Sequence, residues 1–210
     1  MSLADRVASA PRRAITGRFW HQGPTRHDLL SCADPARTEG RYHRRGGSGV
    51  WYGSDQEQGA WAELFRHFVV EGVDPFEVRR RVGRVRVDLG VLDLTDERVR
   101  AHLQVDEADL VGDDYAISQD IAIAAEGAGF EGVLAPSAVL GGRRTLVVFQ
   151  AGLRSVDAER SVIRQSPPRL ADLVTLIRPH PDVPMPVRHR LSTLAATGSE
   201  AVRRLRRRSP

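Results

Sequence analysis

Apolar residues follow a helical spacing in the segment that begins at Ser54. This segment reads SDQEQGAWAELFRHF, and Ala60, Trp61, Leu64 and Phe68 stand in it at helical intervals. Because residues at these intervals fall on one side of an α-helix, the pattern predicts a helix over residues 55–71. Ser54 and Glu57 stand three residues apart, which is the spacing of a capping box at a helix N-terminus.

Three further segments predict a sheet and a second helix. Residues 82–94 alternate valine and leucine with charged residues, which is typical of a half-buried strand. Residues 113–137 predict a helix, a turn marked by glycines and a short buried strand, and residues 143–152 predict another strand. This mixed order favours an α+β fold over regular βαβ repetition.

The composition divides the chain of 210 residues into one folded unit and two extensions. We predict a domain over residues 16–155, preceded by an N-terminal extension over residues 1–15. Residues 156–210 form a C-terminal extension with a proline-rich linker, RPHPDVPMPVRHR, and an arginine-rich tail, AVRRLRRRSP. A core of useful size therefore fits in one domain.

The positive charge of the chain is concentrated at its end. The formal net charge is +4, and the last ten residues contain five arginines and no acid, so the other 200 residues have a net charge of −1. Nucleic-acid binding is therefore not expected of the body, and only the tail is suited to it. The single cysteine, Cys32, suits a reducing compartment, and no apolar run is long enough to cross a membrane, so we expect a cytoplasmic protein.

Two familiar motifs are excluded by their context. GAGFEG, residues 127–132, matches the dinucleotide-binding pattern, but a predicted helix precedes it and a strand follows it, which is the reverse of the required order. The seven histidines are scattered without metal-ligand spacing, so no metal site is expected. Ser137 lacks the flanking glycines of a nucleophile elbow and suits a hydrogen-bonding role at a strand end.

Glu63 and the loop GRYHRRGGSGVWYG, residues 40–53, contain the candidate functional groups. Glu63 falls beside the buried stripe of the predicted helix, where a carboxylate can face a cleft, or it is a solvated residue paired with His67. Arg41 is either a ligand for an anion or a surface charge. Tyr52 either anchors the start of the helix or stacks on a planar ligand.

Four segments of the chain, in this order, resemble the RES domain family, which is named after an arginine, a glutamate and a serine. They are residues 17–31, 40–68, 113–120 and 132–149. The family's G-R-W-N block corresponds to Gly40, Arg41, Tyr42 and His43, so tyrosine replaces tryptophan and histidine replaces asparagine. The family's other characteristic residues fall on Arg18, Tyr52, Glu63 and Ser137.

The resemblance implies an ADP-ribosyltransferase-like mixed β-sheet core with flanking helices, and a toxin that consumes NAD and is neutralised by an Xre-type antitoxin. It implies catalytic roles for Glu63 and Arg41, with NAD bound by Arg18, Arg41, Tyr52 and Ser137. NAD would be a substrate and no separate cofactor is expected. Hydrolysis uses water, whereas phosphorolysis uses inorganic phosphate as a co-substrate, for which Arg44, Arg45 or Arg143 would supply a second anion subsite.

Two other functions stay open at this point. One is transfer of ADP-ribose to a protein. The other is a nucleic-acid-binding module that acts through the arginine-rich tail, or nucleic-acid contact made through the antitoxin. The sequence also leaves open whether the protein is a homo-oligomer.

Overall fold

The computed structural model describes residues 1–71 and 78–164, with the backbone alone for residues 65–71. The proline-rich linker and the arginine-rich tail lie outside the described residues, as does the side chain of His67. None of the helices in the described ranges is long and apolar enough to cross a membrane.

The described chain forms five α-helices, six β-strands and one 3₁₀ turn. In chain order these are α1 Leu3–Ser9, β1 Arg12–Pro24, β2 Val50–Ser54, α2 Glu57–Glu71, β3 Arg80–Asp93, α3 Glu97–Leu103, α4 Glu107–Val111, α5 Ala116–Gly127, β4 Gly132–Pro136, β5 Arg144–Phe149, the 3₁₀ turn Gln150–Ser155 and β6 Val156–Arg164.

The strands form one mixed sheet in the order β1-β2-β5-β4-β3-β6. The β3–β4 pair is parallel and the other pairs are antiparallel. In addition, β1 pairs along its whole length with β3, so the first five strands of this order form a circuit. The circuit closes between β1 and β2 through one residue pair, Trp20 with Ser54.

Alternation of side chains places two separate apolar clusters on the two faces of these strands. One face of the circuit packs together through residues such as Phe19, Trp51, Leu89 and Val148. The opposite face packs against α1, α3, α4 and α5 through a second cluster. A third cluster joins α2 to the start of β3 and to the turn after β4, through Trp61, Leu64, Val82, Val139 and Leu140.

The predicted α+β fold with flanking helices is confirmed, and so are the elements read from hydrophobic periodicity. The helix predicted over 55–71 is α2, the strand over 82–94 is β3, and the helix-turn-strand of 113–137 is α5 and β4. One detail is wrong: Ser54 ends β2 and does not cap α2, and the Glu57 carboxylate binds Arg164 of β6.

The glycines of GAGFEG stand where a helix ends and a strand begins, as the sequence predicts. Gly129 has φ +78°, the left-handed conformation that ends a helix most easily with glycine. A side chain at Gly132 would overlap the Val147 carbonyl oxygen of the neighbouring strand β5. These glycines therefore serve the packing of β4.

Seven elements were not predicted, namely α1, β1, β2, α3, α4, the 3₁₀ turn and β6. Helix α1 buries Val7 completely, and its Arg6 Nε donates to the Leu103 carbonyl at 3.0 Å. The sheet takes in residues on both sides of the predicted span 16–155, since β1 begins at Arg12 and β6 covers Val156–Arg164.

Candidate active site

The loop that contains Arg41 is fastened to helix α5 by the buried side chain of Gln119. Gln119 Nε2 donates to Glu39 Oε1 and to the Gly40 carbonyl, both at 3.0 Å. Its Oε1 accepts from Arg44 Nε at 3.2 Å, and Arg44 Nη2 lies 2.6 Å from Asp120 Oδ1. The predicted contribution of Arg44 to a second anion subsite therefore competes with these internal partners, whereas Arg45 and Arg143 are exposed.

Arg41 is held from one side, and the other side of its guanidinium has no hydrogen-bond partner among the described residues. Its Nη1 donates to the carbonyls of Leu110 at 3.0 Å and Gly112 at 2.5 Å, and its guanidinium carbon lies 4.5 Å from the centre of the Tyr115 ring. Nη2 is buried and has no hydrogen-bond partner in the described part of the chain. A buried guanidinium N–H without a partner is costly, so this atom is suited to an anionic ligand.

Tyr52 lies on β2 behind this loop, and its hydroxyl connects two loop residues. The hydroxyl accepts from the backbone N–H of Tyr42 at 3.1 Å and lies 3.0 Å from His43 Nδ1. Burial raises the pKa of Tyr52 above its usual value, so the phenol is neutral at physiological pH. The ring is half-buried, which leaves part of it accessible to a ligand.

Two buried hydroxyls lie next to Arg41. The hydroxyls of Tyr42 and Ser118 lie close to each other, and a hydrogen bond with Ser118 opposes the effect of burial on the pKa of Tyr42. Burial raises that pKa to about 12. Beside the loop, Arg41 Nη2 therefore remains without a partner among the described residues.

Glu63 extends from α2 toward the same region and is half-buried. Its negative charge adds to the effect of burial in raising the pKa values of both Tyr42 and Tyr52, while the positive charge of Arg41 lowers them. Since such effects require proximity, Glu63, Arg41 and the two tyrosines form one electrostatic group. Glu63 is therefore not fully exposed, and its alternative pairing with His67 falls outside the described residues.

Ser137 begins the turn after β4, and its hydroxyl closes that turn. Its Oγ accepts from the backbone N–H groups of Val139 at 3.3 Å and Leu140 at 3.1 Å. Val139 and Leu140 belong to the cluster that includes Trp61 of α2. The turn therefore packs on the helix of Glu63, and the hydroxyl proton of Ser137 is not used by these two bonds.

Arg18 lies on β1 and is engaged elsewhere. Its Nε lies 2.7 Å from Glu159 Oε1 on β6, and this hydrogen bond lowers the pKa of Glu159. The described contacts do not join Arg18 to the group of Arg41, Tyr52 and Glu63. Its assignment to NAD stays a prediction.

Sequence reasoning missed the residues that support the loop. Gln119, Tyr115 and Ser118 all belong to the block DDYAISQD, residues 113–120. This block is one of the four that resemble the family, but the residues that it contacts lie far away in the sequence. His43 was noted only as a replacement within the loop.

The arrangement places a guanidinium edge, a carboxylate and an aromatic ring around one loop. It can hold an anionic group at Arg41 while Glu63 stabilises positive charge close by. No group of three histidine, cysteine or acidic side chains within the described ranges is placed to hold a metal ion. These features define an α+β protein with a polar site suited to a phosphate-bearing ligand.

The chain belongs to the RES domain family, whose model matches residues 10–172. It is 64% identical over 207 residues to a probable NAD(+) phosphorylase of Mycobacterium tuberculosis strain H37Rv, and the alignment covers 99% of this chain and 100% of the relative. Its fold resembles that of a chain in the crystal structure of the M. tuberculosis MbcT–MbcA toxin–antitoxin complex, with a TM-score of 0.70 and 25% sequence identity. That match covers 77% of this chain and 91% of the other.

Proposed function

We propose that this protein cleaves the nicotinamide–ribose bond of NAD and transfers the ADP-ribosyl group to inorganic phosphate. The observation that carries the proposal is the 64% identity, over nearly the whole of both chains, to a relative named a probable NAD(+) phosphorylase. The group of Arg41, Tyr52 and Glu63 supports it, because it combines an anion-binding group with a carboxylate.

Glu63 would act on the charge that develops in the sugar. Nicotinamide leaves NAD as a neutral molecule when the C–N electron pair moves to the pyridinium nitrogen, so no strong acid is needed. Positive charge then grows on the ribose, as it does in glycoside cleavage, and a nearby carboxylate stabilises it. An oxygen of phosphate forms the new bond to the same ribose carbon, which yields a phosphorylated ADP-ribose.

Arg41 would bind the pyrophosphate of NAD through its unpaired Nη2. Arginine holds phosphate oxygens through charge-assisted hydrogen bonds, and the bonds of Nη1 to Leu110 and Gly112 fix its orientation before the ligand arrives. Tyr52 would contact the nicotinamide or its ribose, and Ser137 would donate its unused hydroxyl proton to the ligand. Arg18 would join them by exchanging Glu159 for a phosphate group.

We also propose that the protein is a toxin restrained by a separate antitoxin of the Xre type. The support is its fold, which resembles a chain of a toxin–antitoxin complex. Loss of NAD deprives a cell of a central redox carrier, so an enzyme of this activity requires a restraining partner.

The test measures NAD over time with purified protein, with and without inorganic phosphate, and identifies the product by mass spectrometry. The parent is compared with Glu63→Gln and with the matched control Glu97→Gln, which changes an exposed glutamate on α3. We expect phosphate-dependent NAD loss in the parent and in the control, and a rate about 10²-fold lower in Glu63→Gln. Loss without phosphate would indicate hydrolysis, and a folded parent that leaves NAD intact in both buffers would refute the proposal.

A further inference from the structure

The hydrogen bonds around His43 determine which of its ring nitrogens carries the proton. On one side, Nε2 lies 3.4 Å from the Thr38 hydroxyl, which donates its own proton to the Asp34 carbonyl at 2.7 Å. The hydroxyl is therefore left to accept, so Nε2 is the protonated nitrogen. Nδ1, on the other side of the ring, is unprotonated and is an acceptor.

This tautomer also directs the Tyr52 hydroxyl. That hydroxyl accepts from the backbone N–H of Tyr42, and its own proton then points to His43 Nδ1 at 3.0 Å. The chain of bonds runs from Tyr42 N–H to Tyr52, from Tyr52 to His43, and from His43 to Thr38. Each donor in this chain of hydrogen bonds faces one acceptor, so the position of the Tyr52 hydroxyl is fixed.

Gly40 lies directly against the two side chains. A Cβ atom at this position would lie 2.8 Å from His43 Nδ1 and 2.9 Å from the Tyr52 hydroxyl, so a larger residue would displace them. Gly40 and His43 also form a two-residue backbone bridge, and Gln119 Nε2 donates to the Gly40 carbonyl. The backbone of His43 is thus held in the loop independently of Tyr52.

We propose that His43 is a positioning residue, whose unprotonated Nδ1 holds the Tyr52 hydroxyl and so sets the place of the ring at which NAD binds. The part that concerns NAD rests on the proposed function. His43 itself lies behind Tyr52 and is buried, so it acts through Tyr52 and does not touch the substrate. Asparagine, which the family's G-R-W-N block has at this position, offers an amide oxygen that takes the place of Nδ1.

The charges around His43 keep it neutral in the working range of pH. Burial lowers its pKa below the usual value, and the carboxylate of Glu39 in the same loop opposes that effect. Arg41 is directed to the α4–α5 segment, Arg44 to Asp120 on α5, and the neutral Gln119 faces the loop carbonyls. From β2 the facing group is the neutral Tyr52 hydroxyl.

The test is a double-mutant cycle that combines His43→Ala and Tyr52→Phe, with His43→Asn as the rescue variant. We expect His43→Ala to lower kcat/KM for NAD about tenfold, as the loss of one buried hydrogen bond allows, and the asparagine variant to restore most of this loss. The double variant should be no worse than Tyr52→Phe alone. Acid pH should lower the parent's kcat/KM as Nδ1 becomes protonated, whereas His43→Asn should lack this response.

Additive effects of the two substitutions, or an asparagine variant as impaired as the alanine variant, would overturn the proposal. A measurement that needs no activity is the ¹⁵N NMR spectrum of the His43 ring in the full chain, assigned by its loss in His43→Asn. It should show an unprotonated Nδ1, and a protonated Nδ1 at neutral pH would also overturn the proposal. A parent that leaves NAD intact would refute the proposed function but not the hydrogen bond between His43 and Tyr52. The NMR spectrum, and a double-mutant cycle of unfolding free energies, would still test that bond.

Discussion

Replacing Gln119 by alanine should loosen the loop of Arg41 and destabilise the domain. The substitution removes two hydrogen bonds of 3.0 Å, to Glu39 and to the Gly40 carbonyl, and the acceptor for Arg44 Nε. Glu39 and Arg44 are exposed and can hydrogen-bond to water instead. The loss of unfolding free energy therefore comes mainly from the missing bond to Gly40 and from the space left in a buried site.

The magnitude follows from these contributions. One buried neutral hydrogen bond contributes about 1 kcal/mol, and the two exposed partners and the lost packing add about the same again, so we expect a loss of about 2 kcal/mol. With a urea m-value of about 2 kcal/mol/M, the unfolding midpoint should fall by about 1 M. The KM for NAD should rise as well, since Arg41 belongs to the released loop.

Two control variants separate this cause from general damage to α5. Ile123→Ala changes an exposed residue of the same helix and should shift the unfolding free energy by less than about 0.5 kcal/mol. Gln119→Glu keeps the shape but directs a carboxylate at Glu39 and at the Gly40 carbonyl, so its loss should be at least as large at neutral pH and smaller where the carboxyl is protonated. An unchanged midpoint and KM in Gln119→Ala would refute the reasoning.

Three other predictions address catalysis, packing and pH. Glu63→Gln should lower the rate of NAD loss by about 10²-fold with an unchanged melting temperature, because it removes stabilisation that is needed only in the transition state; a rate within threefold of the parent would contradict this role. Gly132→Ala should cost about 3 kcal/mol in urea unfolding because its Cβ overlaps the Val147 carbonyl, whereas Gly127→Ala, which meets nothing within 4 Å, should be neutral or slightly stabilising. Burial lowers the pKa of His21 to about 4. Between about pH 6.5 and 4, His21 is therefore protonated in the unfolded chain and neutral in the folded chain. Stability should therefore fall as the pH drops through this window, by up to about 3 kcal/mol, and equal pH dependence in His21→Gln would show that another group is responsible.

The elements that the sequence predicts are those whose burial alternates or recurs regularly. Val85, Val87 and Leu89 of β3 are buried while the residues between them are exposed, so the alternation of a strand is visible in the sequence. β1 was missed because most of its first seven residues are exposed, and its strand conformation depends on pairing with β3. No local pattern records a partner that lies elsewhere in the chain.

The same limit applies to the candidate site. Arg41 and Glu63 were predicted from their residue types and from the family blocks. Gln119 was not, because the Gly40 carbonyl that it binds lies 79 residues away and a backbone carbonyl has no sequence signature. The tautomer of His43 likewise depends on Thr38 and Tyr52 meeting it from two sides.

Backbone pairing between β1 and β2 is limited to Trp20 and Ser54, so side chains make the rest of that junction. β1 is bound to β3 along its whole length, and β2 is bound to β5 in the same way. Between β1 and β2, His21 Nδ1 lies 2.7 Å from the Tyr52 carbonyl oxygen, and Phe19 and Trp51 pack in one buried cluster. The position of Tyr52 relative to β1, the strand of Arg18, therefore depends on side-chain contacts rather than on a continuous ladder of backbone hydrogen bonds.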